Sequence, residues 1–264
     1  MPDLLALLVP REVAADQALA AGLEKAQMLL AAARPDAIVV IDAGWRPRAF
    51  AVGGSGPVAD PDGLYRAQGA DKLAAVLIDT AMEFGLPAFA EQAALSPHAA
   101  AMLQELWPAA DVPILPLGVA TASPSLLQEF GQAIAAAARR LGLRVVAVSI
   151  GAIARDHQAE HDRRENPSVR RFGDLVLERL EQSCGLDLFD IDGALWVQAH
   201  PETDLCHLAL LLGTTGVDAE CEVLARSVGP GLYSAAVAFY RAESLPLGTS
   251  PEWDATDHAK PIQS

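Results

Sequence analysis

Residues 37–42, Ala37-Ile38-Val39-Val40-Ile41-Asp42, decide how this 264-residue chain is read. The run is apolar, β-branched and unbroken. A strand with one wet face alternates polar and apolar residues, whereas a continuous run suits a strand covered on both faces, as in a parallel sheet. In front of it, Arg34-Pro35-Asp36 closes an Ala/Leu-rich helix over residues 14–33 that has no internal proline. Leu4–Val9, ended by Pro10, is a strand of the same kind, as are Pro113–Val119 and Arg144–Ile150. Helices are predicted between them over Asp71–Phe84, over Pro97–Leu106, and from an N-cap at Ser123 with Pro124 in the first turn to Leu141. Strands separated by helices argue for an α/β fold: a mostly parallel, doubly wound central sheet with helices on both faces. Ligands of such sheets bind in the crevice beyond the C-terminal ends of the strands.

Around this frame, residues 53–69 hold five Gly and two Pro and read as a loop. The stretch 155–171 is densely charged, and a helix starts after Asn166-Pro167. A further helix spans Leu205–Leu212 and stops at Gly213. Asp218–Val228 and Leu232–Arg241 form a closing pair of strands around Gly229-Pro230-Gly231. Residues 1–245 thus make a single domain, and residues 246–264 a C-terminal extension.

Composition narrows the function. Nineteen Lys+Arg against thirty-four Asp+Glu give a net charge of −15. Such an excess repels phosphate backbones and anionic lipid, which argues against nucleic-acid and membrane partners. The longest apolar runs are strand-length, and Met1-Pro2-Asp3 lacks the basic start of a signal peptide. Cys184, Cys206 and Cys221 are an odd set without C-x-x-C spacing, and read as reduced thiols of a cytoplasmic protein.

Several short patterns touch on chemistry. His157-Gln158-Ala159-Glu160-His161 matches H-x-x-E-H, which on a helix turns two imidazoles to one zinc face. Charged neighbours surround it, so it reads as a solvated segment. Gly54-Ser55-Gly56-Pro57-Val58-Ala59 matches the dinucleotide fingerprint in letters only, because Pro57 and Asp60-Pro61-Asp62-Gly63 forbid the helix that would hold a pyrophosphate. Cys206 and His207 are adjacent and point different ways on a helix, so they make no joint metal site. Trp45 either stacks on a planar ligand or packs.

The order of the segments resembles the class III (LigB-type) extradiol ring-cleavage dioxygenase superfamily. The stretches that carry the likeness are Leu8-Val9-Pro10, Arg34 to Ile41 with Trp45, Pro97-His98, Pro113 to Leu117, Arg144 to Gly151, Leu210 to Gly213 and Gly229 to Ser234. The resemblance covers Leu4 to about Arg241. Ring-cleaving members hold Fe²⁺ with two histidines and a glutamate, leaving open positions for a catechol-like substrate and O₂. By that resemblance, Arg11 stands where the first histidine would be, and Gly44, before Trp45, where the second would be. Ala154-Arg155 replaces a Ser-His pair that carries acid/base work. The glutamate falls close to Asp204, within one or two residues, and His98 resembles a pocket histidine of the family.

Glycine offers no ligand, and a guanidinium keeps its proton and has no lone pair for a metal. One carboxylate and one imidazole do not make a 2-His-1-carboxylate triad. The resemblance therefore implies a degenerate pocket of Arg11, Gly44, Trp45, His98, Arg155 and Asp204, with no cofactor and no catalytic residue. It implies a non-catalytic structural or regulatory subunit or homologue of an aromatic ring-cleaving dioxygenase, in a homo-oligomer or beside a homologous catalytic subunit. Arg11 and Arg155 would bind a small aromatic or anionic ligand there, or else pair with nearby Asp or Glu. The alternative is an active Fe²⁺-dependent dioxygenase or other metalloenzyme with ligands relocated to His98, His157, His161, His200 and Asp204. A third reading is a metal-free binding or redox protein of the Memo-like branch.

Overall fold

The apolar runs become strands and the Ala/Leu-rich segments become helices in the computed structural model, which describes residues 4–12, 16–47, 49–53, 56–92, 95–182, 186–216 and 219–241. In chain order the strands are β1 (Leu4–Val9), β2 (Ala37–Asp42), β3 (Phe50–Gly53), β4 (Pro57–Ala59), β5 (Arg66–Gln68), β6 (Ala88–Glu91), β7 (Ile114–Gly118), β8 (Val145–Ile150), β9 (Ala154–Arg155), β10 (Ala219–Gly229) and β11 (Leu232–Arg241). The helices are α1 (Gln17–Ala33), α2 (Asp71–Glu83), α3 (Pro97–Leu106), α4 (Pro124–Leu141), α5 (His157–His161), α6 (Pro167–Gln182), α7 (Gly193–Ala199) and α8 (Cys206–Thr215).

The main sheet runs β10-β11-β1-β8-β2-β7-β3-β6, with β9 paired to β11. Its centre, β1-β8-β2-β7, is parallel, with Ala6 opposite Ala147, Ile38 opposite Val146 and Ile38 opposite Ile114. The hairpin β10–β11 closes one side antiparallel to β1. Along β2 all six residues are buried, as its unbroken apolar run requires. Odd positions Ala37, Val39 and Ile41 face a core shared with α2, α4 and α8, while Ile38 and Val40 face α1 and α3. Helices therefore cover both faces. None is long and apolar enough to cross a membrane.

Local chemistry explains the boundaries. Asp16 caps α1, its side chain accepting from Ala18 N and Leu19 N. Ser123 caps α4 with Pro124 at the first turn, and Gly142 ends it in the left-handed region at φ 65°. Two sequence expectations need correction. Residues 53–69 are not all loop, because β4 and β5 pair there as a small separate sheet. Helix α8 does not stop at Gly213 but runs on to Thr215. Gly213 serves close packing: a Cβ there would lie 2.2 Å from Gln128 O on α4, and one on Gly131 would lie 2.4 Å from Leu210 O on α8. The expected C-terminal extension and Cys184 lie outside the described residues.

Candidate functional site

β1, β8 and β2 are parallel neighbours, so their C-terminal ends discharge loops onto one edge of the sheet. A cleft of about 570 Å³ opens there. The loop after β1 contributes Arg11, and the loop after β2 contributes Ala43, Gly44 and Arg46. Arg155 and His157 follow β8, and the segment from Trp196 on α7 to Asp204 closes the far side. Of the residues predicted for a pocket, the fold thus brings together Arg11, Gly44, Arg155 and Asp204. Trp45 and His98 do not line the cleft: Trp45 packs over Gly118 at the end of β7, and His98 sits half-buried in the first turn of α3.

The carboxylate that meets Arg11 is Glu202, two residues before the predicted Asp204. Arg11 donates from NH1 to Glu202 Oε1 at 2.5 Å, with the side chains 19% and 7% exposed. The second Glu202 oxygen accepts from Ala152 N, just beyond β8. Glu202 therefore ties the loops after β1 and β8 to the far side of the cleft. Arg155 donates from Nε and NH2 to both oxygens of Glu160, at 2.9 and 3.2 Å, and reaches Glu12 at 3.2 Å. Both arginines proposed as anion receptors are thus paired with acids of the chain.

The segment carrying Glu202 has an unusual backbone. Thr203, Asp204 and Leu205 are three successive non-glycine residues in the left-handed region, at φ 50°, 51° and 55°, and His200 joins them at 51°. Each such residue costs roughly 1 kcal/mol or more and persists only when its surroundings hold it. Here Arg155 N donates to His200 O at 2.9 Å, Glu202 N to Ile153 O at 3.2 Å, and Thr203 Oγ1 bonds His207 Nδ1 at 2.9 Å. Leu205 anchors the end of the turn in the core. No glycine marks this turn, so the sequence carries no signal for it, and Glu202 lies within the one or two residues expected around Asp204.

Two further charges face the cleft with no ion-pair partner among the described residues. Arg46 donates only to Thr121 Oγ1, at 3.1 Å. The exposed Asp204 carboxylate forms no salt bridge.

Beneath the cleft, His207 on α8 is wholly buried, and burial pushes its pKa down to about 4. Its Nε2, with Ser149 Oγ on β8 and Arg11 Nε, has no hydrogen-bond partner among the described residues. Cys206 is buried as well, and burial pushes its thiol pKa up. Gly44 is hemmed in, since a Cβ would lie 3.0 Å from both Asp42 Oδ1 and Ser96 Oγ. Those two groups are bonded to each other, and Asp42 also accepts from Gly44 N and Ser96 N, locking the β2 loop to the cap of α3.

The H-x-x-E-H pattern forms the short helix α5, capped by Asp156, whose side chain accepts from Gln158 N and Ala159 N. The His157 side chain is 78% exposed and faces Glu160 at 3.9 Å. Among the described residues, no three of His, Cys, Asp and Glu converge closely enough to hold a metal ion.

Comparison with known proteins adds three findings. Curated proteins include no match. Among solved structures, the chain is similar to the crystal structure of the uncharacterized protein JW3007 from Escherichia coli K12, with a TM-score of 0.73 at 20% identity, over 90% of this chain and 99% of that one. That likeness concerns the fold. The family described as "Catalytic LigB subunit of aromatic ring-opening dioxygenase" matches residues 2–240, nearly the whole described chain, and it is to this LigB family that the protein belongs.

Proposed function

We propose that this LigB-family chain is a non-catalytic member, a structural or regulatory subunit or homologue of an aromatic ring-cleaving dioxygenase. The observation that carries the reading is the Arg11–Glu202 ion pair. Ring-cleaving relatives supply Fe²⁺ with two imidazoles and a carboxylate. The residues present here do not fit that ion. Arg11 and Gly44 offer no lone pair from their side chains, and both Glu202 oxygens are already engaged by Arg11 and Ala152 N. A cation would have to displace a guanidinium that already neutralises the buried acid. A side chain at position 44 would bring a Cβ within 3.0 Å of Asp42 Oδ1 and Ser96 Oγ, a tight fit. Of the candidate relocated ligands, His157, His200 and Asp204 line the cleft while His98 and His161 lie off it, and among the described residues no three His, Cys, Asp or Glu side chains converge closely enough to hold a metal ion.

In a complex, such a chain acts through its surface and its fold, beside a homologous catalytic subunit or further copies of itself. The test is elemental analysis of protein purified anaerobically with Fe²⁺ supplied, together with O₂ uptake on catechols. The expected result is far less than one metal ion per chain and no uptake by the chain alone. About one iron per chain, with ring cleavage, would overturn the reading.

A further inference from the structure

Three of the five Arg, Asp and Glu side chains facing the cleft are spoken for: Arg11 by Glu202, and Arg155 by Glu160 and Glu12. The remaining two are opposite in sign, Arg46 and Asp204, and they do not pair with each other. Asp204 also sits in the middle of the left-handed turn, at φ 51°. The chain thus carries backbone strain at a residue whose carboxylate gains no ionic partner among the described residues. Strain of that kind collects where a side chain must be presented to something else. Trp196, whose ring stands edge-on to Phe172 at 5.4 Å, and Val197 supply apolar lining to the same cleft. The volume suits a small molecule.

We infer that the cleft binds a small zwitterion of the α-amino-acid type, its carboxylate on Arg46, its ammonium on Asp204 and its apolar side chain against Trp196. A simple anion would leave Asp204 unpaired and repelling it, and a simple cation would do the same at Arg46. A planar guanidinium takes a carboxylate in two parallel hydrogen bonds, which fixes the ligand's orientation as well as its charge. The inference rests on the cleft holding no iron, as proposed above.

The test is calorimetric titration of the full chain, treated with chelator, with L-phenylalanine, 3-phenylpropanoate and 2-phenylethylamine. These probes share one phenylethyl body and differ in which charged groups it carries. The zwitterion should bind at least about tenfold more tightly than either analogue, as loss of one charged hydrogen bond implies. Arg46→Ala should remove the preference over 2-phenylethylamine, and Asp204→Asn the preference over 3-phenylpropanoate. Both residues are exposed, so both variants should fold, which circular dichroism checks. Equal affinity for all three probes, no binding of L-phenylalanine, or affinities unmoved by both substitutions would overturn the inference. Iron content of the preparations before chelator treatment separates the two readings. About one iron per chain overturns the proposed function, whereas lost charge selectivity in iron-free protein overturns this inference alone.

Discussion

Arg11 and Glu202 stand 191 positions apart in sequence and 2.5 Å apart in space, at the mouth of the sheet's C-terminal edge. The pair fixes two loops against each other and sets the charge of the cleft floor. Several measurable consequences follow from it and from its neighbours.

Removing one member of this pair leaves the other charge largely buried. Arg11→Met should lower stability by about 3 kcal/mol, since an orphaned buried carboxylate costs more than the pair contributes. The double variant Arg11→Met with Glu202→Met should recover part of that loss. Urea denaturation measures both, and an Arg11→Met variant as stable as the parent would refute the account.

His207 gives the protein a definite acid response. Its folded pKa is about 4 against an ordinary value of 6.5, because burial disfavours the charged imidazolium. Above pH 6.5 the group is neutral in both states, and its contribution is fully present. As pH falls from 6.5 towards 4, the unfolded chain takes up a proton that the folded chain refuses. Stability should then drop by up to about 3 kcal/mol from this group. Chemical denaturation at pH 7 and pH 5 should show a smaller difference for His207→Leu than for the parent, and an unchanged difference would contradict the assignment.

The left-handed turn can be relieved at one position without touching its ties. Asp204→Gly places the residue best suited to φ 51° there and should raise stability by about 1 kcal/mol. A thermal scan should show a Tm a few degrees higher. A fall in Tm would mean that the Asp204 side chain supports the turn.

Helices α4 and α8 meet backbone to backbone at Gly131 and Gly213. Gly213→Ala would push a methyl group to 2.2 Å from Gln128 O, and neither main chain can move aside alone. The expected loss is about 2 kcal/mol or more, read by urea denaturation. Gly142→Ala is a contrasting control. Its Cβ would meet open space, so its cost comes only from φ 65°.

What the sequence made legible followed from local chemistry. The unbroken run Ala37–Asp42 announced a strand buried on both faces, and Ser123-Pro124 announced a helix start. Strands β3, β6 and the β4–β5 pair escaped, because three or four residues such as Phe50–Gly53 carry too little period to be told from loop. The glycines at 131 and 213 look in sequence like a helix interior and a helix end, yet both serve contact between helices.

The site divides along the same line. Residue chemistry alone determined that Gly44 can donate nothing to a metal and that Arg11 and Arg155 carry fixed positive charge. Only tertiary structure decided which acids answer those charges. Glu202 meets Arg11 at the start of a turn of three successive left-handed residues, Thr203 to Leu205, which long-range ties to Ile153 and Ala152 and the local Thr203–His207 bond hold in place. Sequence spacing reports neighbours along the chain. The energy that holds a strained turn comes from residues dozens of positions away, which only the folded state brings together.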